Sequence, residues 1–348
     1  MSLTWLRKAL IHLALSRSSA ALIKASGGEP RTVRGYTLDP RMQFIEAETR
    51  RRFIPPEEMT LGRRRAQTET LAELFGGGKV SGVTHERVSV TGRSHSVPCR
   101  LYLPRVRDNN AAMLVYFHFG GGVVGSLESC HRLCALISKY SGAPVLSVDY
   151  RLAPEHRFPS GLEDAIAAYA WAVENAARFG GAVRKAAVGG DSIGATFAAV
   201  IAQEARGGRR PAPVLQLLIY PVTDLVSDTS SMNEFADAFP LTADNFNYLM
   251  ERYVPEGVDP SGPRLSPGRV SDLSGVAPAL VYTAAFDILL DQGEAYADRL
   301  SEAGVRVKRA RFETLPHGFV AFPSAAPAAE AALKKIALET AEALKGAL

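Results

Sequence analysis

The chain is poor in cysteine, with only Cys99, Cys130 and Cys134 in 348 residues. So sparse and odd a set does not build a disulfide framework, and it fits a reducing, cytoplasmic compartment. Cys130 and Cys134 stand four apart with His131 between them; that is too few ligands for a structural metal, so packing is the expected role. Net charge is small as well. Lys and Arg number 40 against 36 Asp and Glu, or +4, short of what a protein held by phosphate contacts needs, so no nucleic-acid partner is expected. Long apolar runs are missing: no stretch approaches the ~18 residues of a membrane span, and no integral membrane association is expected. Repeats and low-complexity tracts are absent too. With 47% apolar and 22% charged residues, the composition is that of a soluble globular chain, which excludes a coiled coil and a collagen-like repeat. The length is about 2.3 times a typical ~150-residue domain, enough for one large domain plus an extra element.

What charge there is sits unevenly. Residues 1–80 carry 14 Lys/Arg against 8 Asp/Glu, an excess of 6, which leaves 4 − 6 = −2 for the remainder. Two triplets, Arg50-Arg51-Arg52 and Arg63-Arg64-Arg65, stand out, and solvated faces or pairing with nearby Glu is their expected role. The apolar residues at the start are interrupted by Arg7, Lys8, His12 and Arg17, unlike a secretory signal. Leu3, Leu6, Leu10 and Leu13 recur at helical spacing, the pattern of an amphipathic helix, here expected to cover a pocket rather than lie on a membrane. Asp39-Pro40 reads as an N-cap followed by Pro at the first helical position. Gly76-Gly77-Gly78 then breaks the helical pattern.

After about residue 84 the period changes. His85–Thr91 and Pro98–Leu103 alternate like an antiparallel pair. Short apolar runs follow at Ala112–Phe117, Val145–Tyr150, Ala186–Gly189, Val214–Tyr220 and Ala279–Thr283, separated by helical stretches such as Leu162–Arg178 and Ile193–Ala205. Continuous apolar strands alternating with helices predict an α/β fold with a mostly parallel sheet covered on both faces. Residues 225–268 interrupt the rhythm with a polar, Pro-containing insert, of the kind that forms a pocket wall or lid.

In such a sheet, chemistry gathers at the carboxyl ends of the strands. After the Ala186–Gly189 run comes Gly190-Asp191-Ser192-Ile193-Gly194, a G-x-S-x-G turn between strand and helix. Alone the pattern is weak; its strand–turn–helix setting makes Ser192 a candidate nucleophile. A serine hydroxyl needs a base to take its proton, and His317 is the only histidine C-terminal to Ser192. It follows the extended segment Val305–Phe312 and so falls on a strand-end loop. An orienting acid should lie between the two. Of nine aspartates there, Asp287 comes just beyond the Ala279–Thr283 strand and is the better placed, with Asp291 the alternative.

Acyl transfer also needs donors for a tetrahedral oxyanion. The backbone N–H of Ile193, next to the nucleophile, is one. Others are expected from the glycine-rich loop His118-Phe119-Gly120-Gly121-Gly122-Val123-Val124-Gly125-Ser126. The same loop contains a literal GxGxxG, Gly120-x-Gly122-x-x-Gly125, with Asp149 ending the next strand, which is the layout of a dinucleotide fingerprint. Against that reading, the following helix begins only near Glu128, and Ser192 and His317 are left unexplained.

Together these residues resemble the hormone-sensitive-lipase-type family of α/β-hydrolase esterases. The family's loop reads roughly HGGGFVLGS, and this one reads HFGGGVVGS. Tyr150-Arg151-Leu152-Ala153-Pro154-Glu155-His156 with Phe158-Pro159 is a run typical of the family. Asp287-Ile288-Leu289-Leu290-Asp291 resembles its DPLxD segment and His317-Gly318-Phe319 its HGF. The resemblance runs from about Leu38 to the C-terminus. It implies an α/β-hydrolase fold with a helical cap and a Ser192–His317–Asp287 triad. It also implies that Gly120 and Gly121 are oxyanion donors alongside Ile193, and that there is no metal or cofactor. In this family an N-terminal helical segment helps build the cap. The expected division is therefore a cap segment over 1–80 and a catalytic domain over 81–348, with 225–268 contributing to the cap.

Four departures bear on the pocket. Phe119 replaces the first loop glycine and Gly122 the usual aromatic, while Ile193 and Ile288 stand where Ala and Pro are usual. His118, Phe119 and Gly122 are the loop residues expected to border the substrate. The reading is of a serine carboxylesterase for small-molecule, short- to medium-chain acyl esters, and family habit allows a homodimer. An amidase or peptidase is the nearest rival, since a triad alone does not separate amide from ester. A non-catalytic receptor on the same fold is the other alternative.

Overall fold

The eight strands of the main sheet are β3 (Val83–Thr91), β4 (Ser96–Pro104), β5 (Met113–Phe117), β6 (Val145–Val148), β7 (Ala186–Asp191), β8 (Gln216–Ile219), β9 (Ala279–Phe286) and β10 (Val307–Pro316). They follow a small hairpin of β1 (Thr32–Val33) and β2 (Tyr36–Thr37). The computed structural model describes residues 3–51, 59–92, 95–208 and 210–346, with the side chains of 3–7 outside the description. The sheet order is β10-β9-β8-β7-β5-β6-β4-β3. From β10 to β6 all neighbours are parallel, and β4 and β3 add an antiparallel edge. β5, β6, β7, β8 and β9 are buried along their whole length. That is why they read as continuous apolar runs, whereas the edge strand β3 is exposed along most of its length.

The helices are α1 (Leu3–Leu15), α2 (Ser19–Ala25), α3 (Pro40–Arg51), α4 (Leu61–Phe75), α5 (His131–Ser141), α6 (Ser160–Asn175), α7 (Ile193–Glu204), α8 (Ser230–Glu234), α9 (Ala243–Tyr253), α10 (Leu290–Glu302) and α11 (Pro327–Leu344). They flank the sheet, α5 packing with α11 and α6 with α7. As the sequence predicts, α3 begins at Pro40, with the Asp39 carboxylate accepting from the N–H groups of Arg41 and Met42. α4 ends at Phe75 against Gly76, where the glycine run stops the helix. α5 begins six residues beyond Gly125, so the loop does not open directly into a helix as a dinucleotide site requires.

One expectation needs correcting. Of the leucine stripe on α1, Leu10 and Leu13 are 58% and 68% exposed, and Ile11 and Leu15 make the contacts with the body instead. The helix is rotated about its axis relative to the sequence reading, because Ile11 and Leu15, four apart, form an apolar edge of their own. The side chains of Leu3 and Leu6 lie outside the described residues, and so does Arg52.

The N-terminal segment is fastened to the 225–268 insert by ion pairs. Arg31 and Arg50 both meet Asp237, at 2.6 and 2.8 Å. Arg34 reaches Glu234 and Asp291, each at 2.6 Å. Arg34 and Gly35 both have positive φ, as a two-residue hairpin turn of type I′ requires, and this aims the arginine outward from the β1–β2 turn. Arg50 and Arg51 also pair with Glu46 and Glu48 on their own helix, as the charge pattern predicts. Each exposed pair contributes little alone, typically under ~1 kcal/mol, so the clamp depends on several acting together. All three cysteines are free and buried, and among the described residues no helix is long and apolar enough to cross a membrane.

Candidate active site

Ser192 occupies the turn between β7 and α7 with φ 56° and ψ −121°, a left-handed conformation that a non-glycine residue adopts only when its surroundings enforce it. The enforcement comes from close packing on both sides. A Cβ on Gly190 would stand 2.3 Å from the backbone of Gly194, and one on Gly194 would stand 2.0 Å from the Phe117 carbonyl oxygen. The two glycines of G-x-S-x-G are thus fixed by the approach of α7 to the ends of β7 and β5.

His317 and Asp287 arrive from adjacent parallel strands. Asp287 follows β9, and His317 follows β10 by one residue, with the His317 N–H bonded to the Phe286 carbonyl at 3.2 Å. The imidazole Nδ1 is 2.7 Å from Asp287 Oδ2, and Nε2 is 3.1 Å from Ser192 Oγ. The second carboxylate oxygen of Asp287 accepts from the Leu289 N–H at 2.9 Å, which fixes its orientation. All three side chains are buried or nearly so. The alternative acid, Asp291, is committed elsewhere. It takes Arg34 and the Ser231 N–H, so it ties the N-terminal segment and α8 to α10.

The loop after β5 turns on itself at Gly120, whose carbonyl accepts from the N–H groups of Val123 and Val124 at 3.0 Å. A Cβ at Gly120 would lie 2.0 Å from the Val124 carbonyl oxygen. Among the described residues, the N–H groups of Gly120, Gly121 and Ile193 donate no hydrogen bond. His118 is fully buried and stacked on Tyr150 at 4.3 Å, with Nδ1 2.7 Å from the Phe119 carbonyl. Burial lowers its pKa to about 4, so the ring is neutral and Nδ1 donates. Phe119 is partly exposed, and Ile193 is buried. Gly122, where the family carries an aromatic, is covered by one from elsewhere: a Cβ there would lie 2.5 Å from the ring of Tyr253 on α9.

The sequence reading passed over Asp191, the middle residue of Gly190-Asp191-Ser192. It is fully buried and accepts hydrogen bonds from Tyr116 at 3.1 Å and Tyr220 at 2.8 Å. Burial raises its carboxyl to about 7, opposed by the two phenols and by the nearby His317. Tyr220 also packs its ring 4.6 Å from that of His317. The available signal was an acid inside a buried strand end, which demands partners. The insert was equally hard to place: Leu249 and Tyr253 of α9 cover Gly121 and Gly122, and Pro240 lies against Gly318, beside His317. Among the described residues, no group of three or more His, Cys, Asp or Glu is placed to hold a metal.

The Ser192, His317 and Asp287 side chains meet at the ends of β7, β10 and β9, the placement expected of an α/β-hydrolase. A family model described as alpha/beta hydrolase fold matches residues 114–321. The chain is 38% identical to a carboxylic ester hydrolase, LipN, of Mycobacterium tuberculosis over 85% of its length and 80% of the relative's. It is 37% identical to an ethyl acetate hydrolase of Pseudomonas putida over 80% of its length and 89% of the relative's. Among solved structures, a thermostable esterase from Pseudomonas putida superposes with a TM-score of 0.83 at 30% identity, covering 90% of this chain and 99% of that one. The chain belongs to the α/β-hydrolase fold family, in its hormone-sensitive-lipase-type branch.

Proposed function

We propose that this carboxylic ester hydrolase cleaves its substrate through Ser192, His317 and Asp287 by way of an acyl-enzyme. The observation that carries the reading is His317, one ring nitrogen at 2.7 Å from Asp287 and the other at 3.1 Å from Ser192. Ser192 Oγ attacks the ester carbonyl while His317 Nε2 takes its proton; Asp287 holds the Nδ1–H tautomer and stabilises the imidazolium. The oxyanion collects on the N–H groups of Gly120, Gly121 and Ile193, whose lack of internal acceptors leaves them available. His317 returns its proton to the departing alcohol, then activates water to release the acid. No step calls for a metal or cofactor.

The substrate is a small ester with a short to medium acyl chain. A relative named for ethyl acetate supports the short end of that range, and Leu249 and Tyr253 seated on the loop glycines support a narrow site. The segment 1–80 and the insert 225–268 together form the cap over the cleft, joined through the Arg31, Arg34 and Arg50 ion pairs. The three free thiols suit a reducing, cytoplasmic location. The test is hydrolysis of p-nitrophenyl esters from two to sixteen carbons by wild type and Ser192→Ala. Activity confined to the shorter chains and lost in the variant supports the reading; activity retained by Ser192→Ala overturns it.

A further inference from the structure

In the second arginine triplet Arg63 is exposed, but Arg64 and Arg65 do not behave as a solvated face. Arg65, on α4, spends its guanidinium on backbone: Nε donates to the Val123 carbonyl at 3.0 Å and Nη2 to the Ala153 carbonyl at 2.9 Å. The fork is held by Glu155, at 2.9 and 2.7 Å from its two terminal nitrogens. The two carbonyls belong to one structure, because the Ala153 N–H donates to the Gly122 carbonyl at 2.7 Å. Arg65 thus grips the outer side of the loop whose other peptides are Gly120 and Gly121.

Its neighbour Arg64 reaches the layer above. It donates to the Asn245 side chain at 2.9 Å and lies 3.9 Å over the ring of Tyr248, whose ring also carries Arg252 at 3.4 Å. Those residues sit on α9, the helix that places Leu249 on Gly121 and Tyr253 on Gly122. One turn of α4 therefore holds both the glycine loop and the helix packed on it.

We infer that Arg65 is a positioning residue for ester hydrolysis: by fixing the Val123 and Ala153 carbonyls it sets where the Gly120 and Gly121 N–H groups point. The inference rests on the proposed reading of those N–H groups as oxyanion donors. A glycine-rich loop has intrinsic freedom to rotate its peptides, and a donor displaced by about 1 Å loses much of its stabilisation of the transition state. Arg65 touches no reacting atom; it acts through the loop. Its planar fork satisfies two carbonyls and a carboxylate at once, which a lysine ammonium matches only in part.

The experiment compares Arg65→Met, Arg65→Lys and Glu155→Gln with wild type and Ser192→Ala on one short p-nitrophenyl ester, with melting temperature recorded for each. Arg65→Met is expected to lower kcat by about 10- to 100-fold with KM within about threefold, and to weaken a phosphonate transition-state mimic in parallel with kcat/KM. Arg65→Lys should recover part of the loss. Glu155→Gln keeps the contacts to both carbonyls and should leave kcat within about threefold, even where its melting temperature falls. Equal kcat losses in Arg65→Met and Glu155→Gln, or a loss seen only in melting temperature, would overturn the inference by reducing Arg65 to a structural ion pair. Unchanged kcat in Arg65→Met beside an inactive Ser192→Ala overturns it while leaving the esterase reading intact. Activity in Ser192→Ala instead removes the reading on which it rests.

Discussion

Leu249 is seated on Gly121: a Cβ built on the glycine would stand 2.9 Å from the Cβ of the leucine. The insert helix α9 thus reaches a loop that lies more than a hundred residues earlier in the chain, and it narrows the space in front of the proposed oxyanion donors. Leu249→Ala should open that space. The expected result is a rise of about tenfold in the preference for longer over shorter acyl esters, measured as the ratio of kcat/KM across a p-nitrophenyl series. An unchanged profile would mean that Leu249 borders no part of the substrate.

Asp287 holds the His317 ring through one oxygen and the Leu289 N–H through the other. Asp287→Asn preserves the shape but presents an amide to Nδ1, which favours the wrong tautomer. We expect kcat to fall by on the order of 10³–10⁴ with little change in KM. Asp291→Asn, which weakens the tie to Arg34, should leave kcat within about threefold. Steady-state kinetics of the pair distinguishes the two acids, and the opposite ranking would reassign the triad.

The glycine after Ile193 has no room for a methyl group. Gly194→Ala would drive a Cβ to 2.0 Å from the Phe117 carbonyl oxygen, and neither backbone can yield without moving α7 or β5. A loss of at least about 3 kcal/mol in urea unfolding is expected. Gly207→Ala, where nothing lies within 4 Å of the added carbon, serves as the control and should change stability by less than about 0.5 kcal/mol.

Asp191 and His118 give the fold opposing responses to pH. Burial raises Asp191 to about 7, so the folded state binds a proton that the unfolded chain has released, and this contribution is present below about pH 4 and lost as pH rises to 7. His118 is lowered to about 4; its contribution is present above its unfolded value and lost as pH falls toward 4. Asp191→Asn removes only the first response. Relative to wild type, the variant should therefore gain stability between about pH 4 and 7, by on the order of a few kcal/mol, in unfolding titrations at stepped pH. A constant difference across that range would mean that Asp191 stays ionised throughout.

The strands and the candidate residues at their ends were legible in sequence for a common reason. A buried parallel strand must be apolar on both faces, and a nucleophile turn must be glycine-flanked, so both leave composition signals at fixed places. The strand rhythm, the G-x-S-x-G turn and the single histidine beyond Ser192 put Ser192 and His317 forward as candidates, with Asp287 preferred over Asp291. What stayed hidden depends on contacts between distant segments. Nothing in Arg63-Arg64-Arg65 says that Arg65 would take carbonyls near Val123 and Ala153, or that Arg64 would lie on Tyr248. Tyr253 in place of the missing loop aromatic is the same case, since its ring comes from the insert and local pattern does not register it. The α1 stripe misled because two apolar edges compete on one helix and only packing against the body chooses between them.

Because Ser192 and its proposed base His317 sit 125 residues apart, after strands that are not neighbours in the sheet, the proposed nucleophile is made long before the group that would activate it. His317 follows the last strand to be made, which joins the sheet only along β9. On that reading, a chain that stops after β7 and α7 lacks the proposed base, and so does any fragment cleaved between the insert and β10. The proposed site is therefore complete only with β10 in place beside β9 at the edge of the sheet.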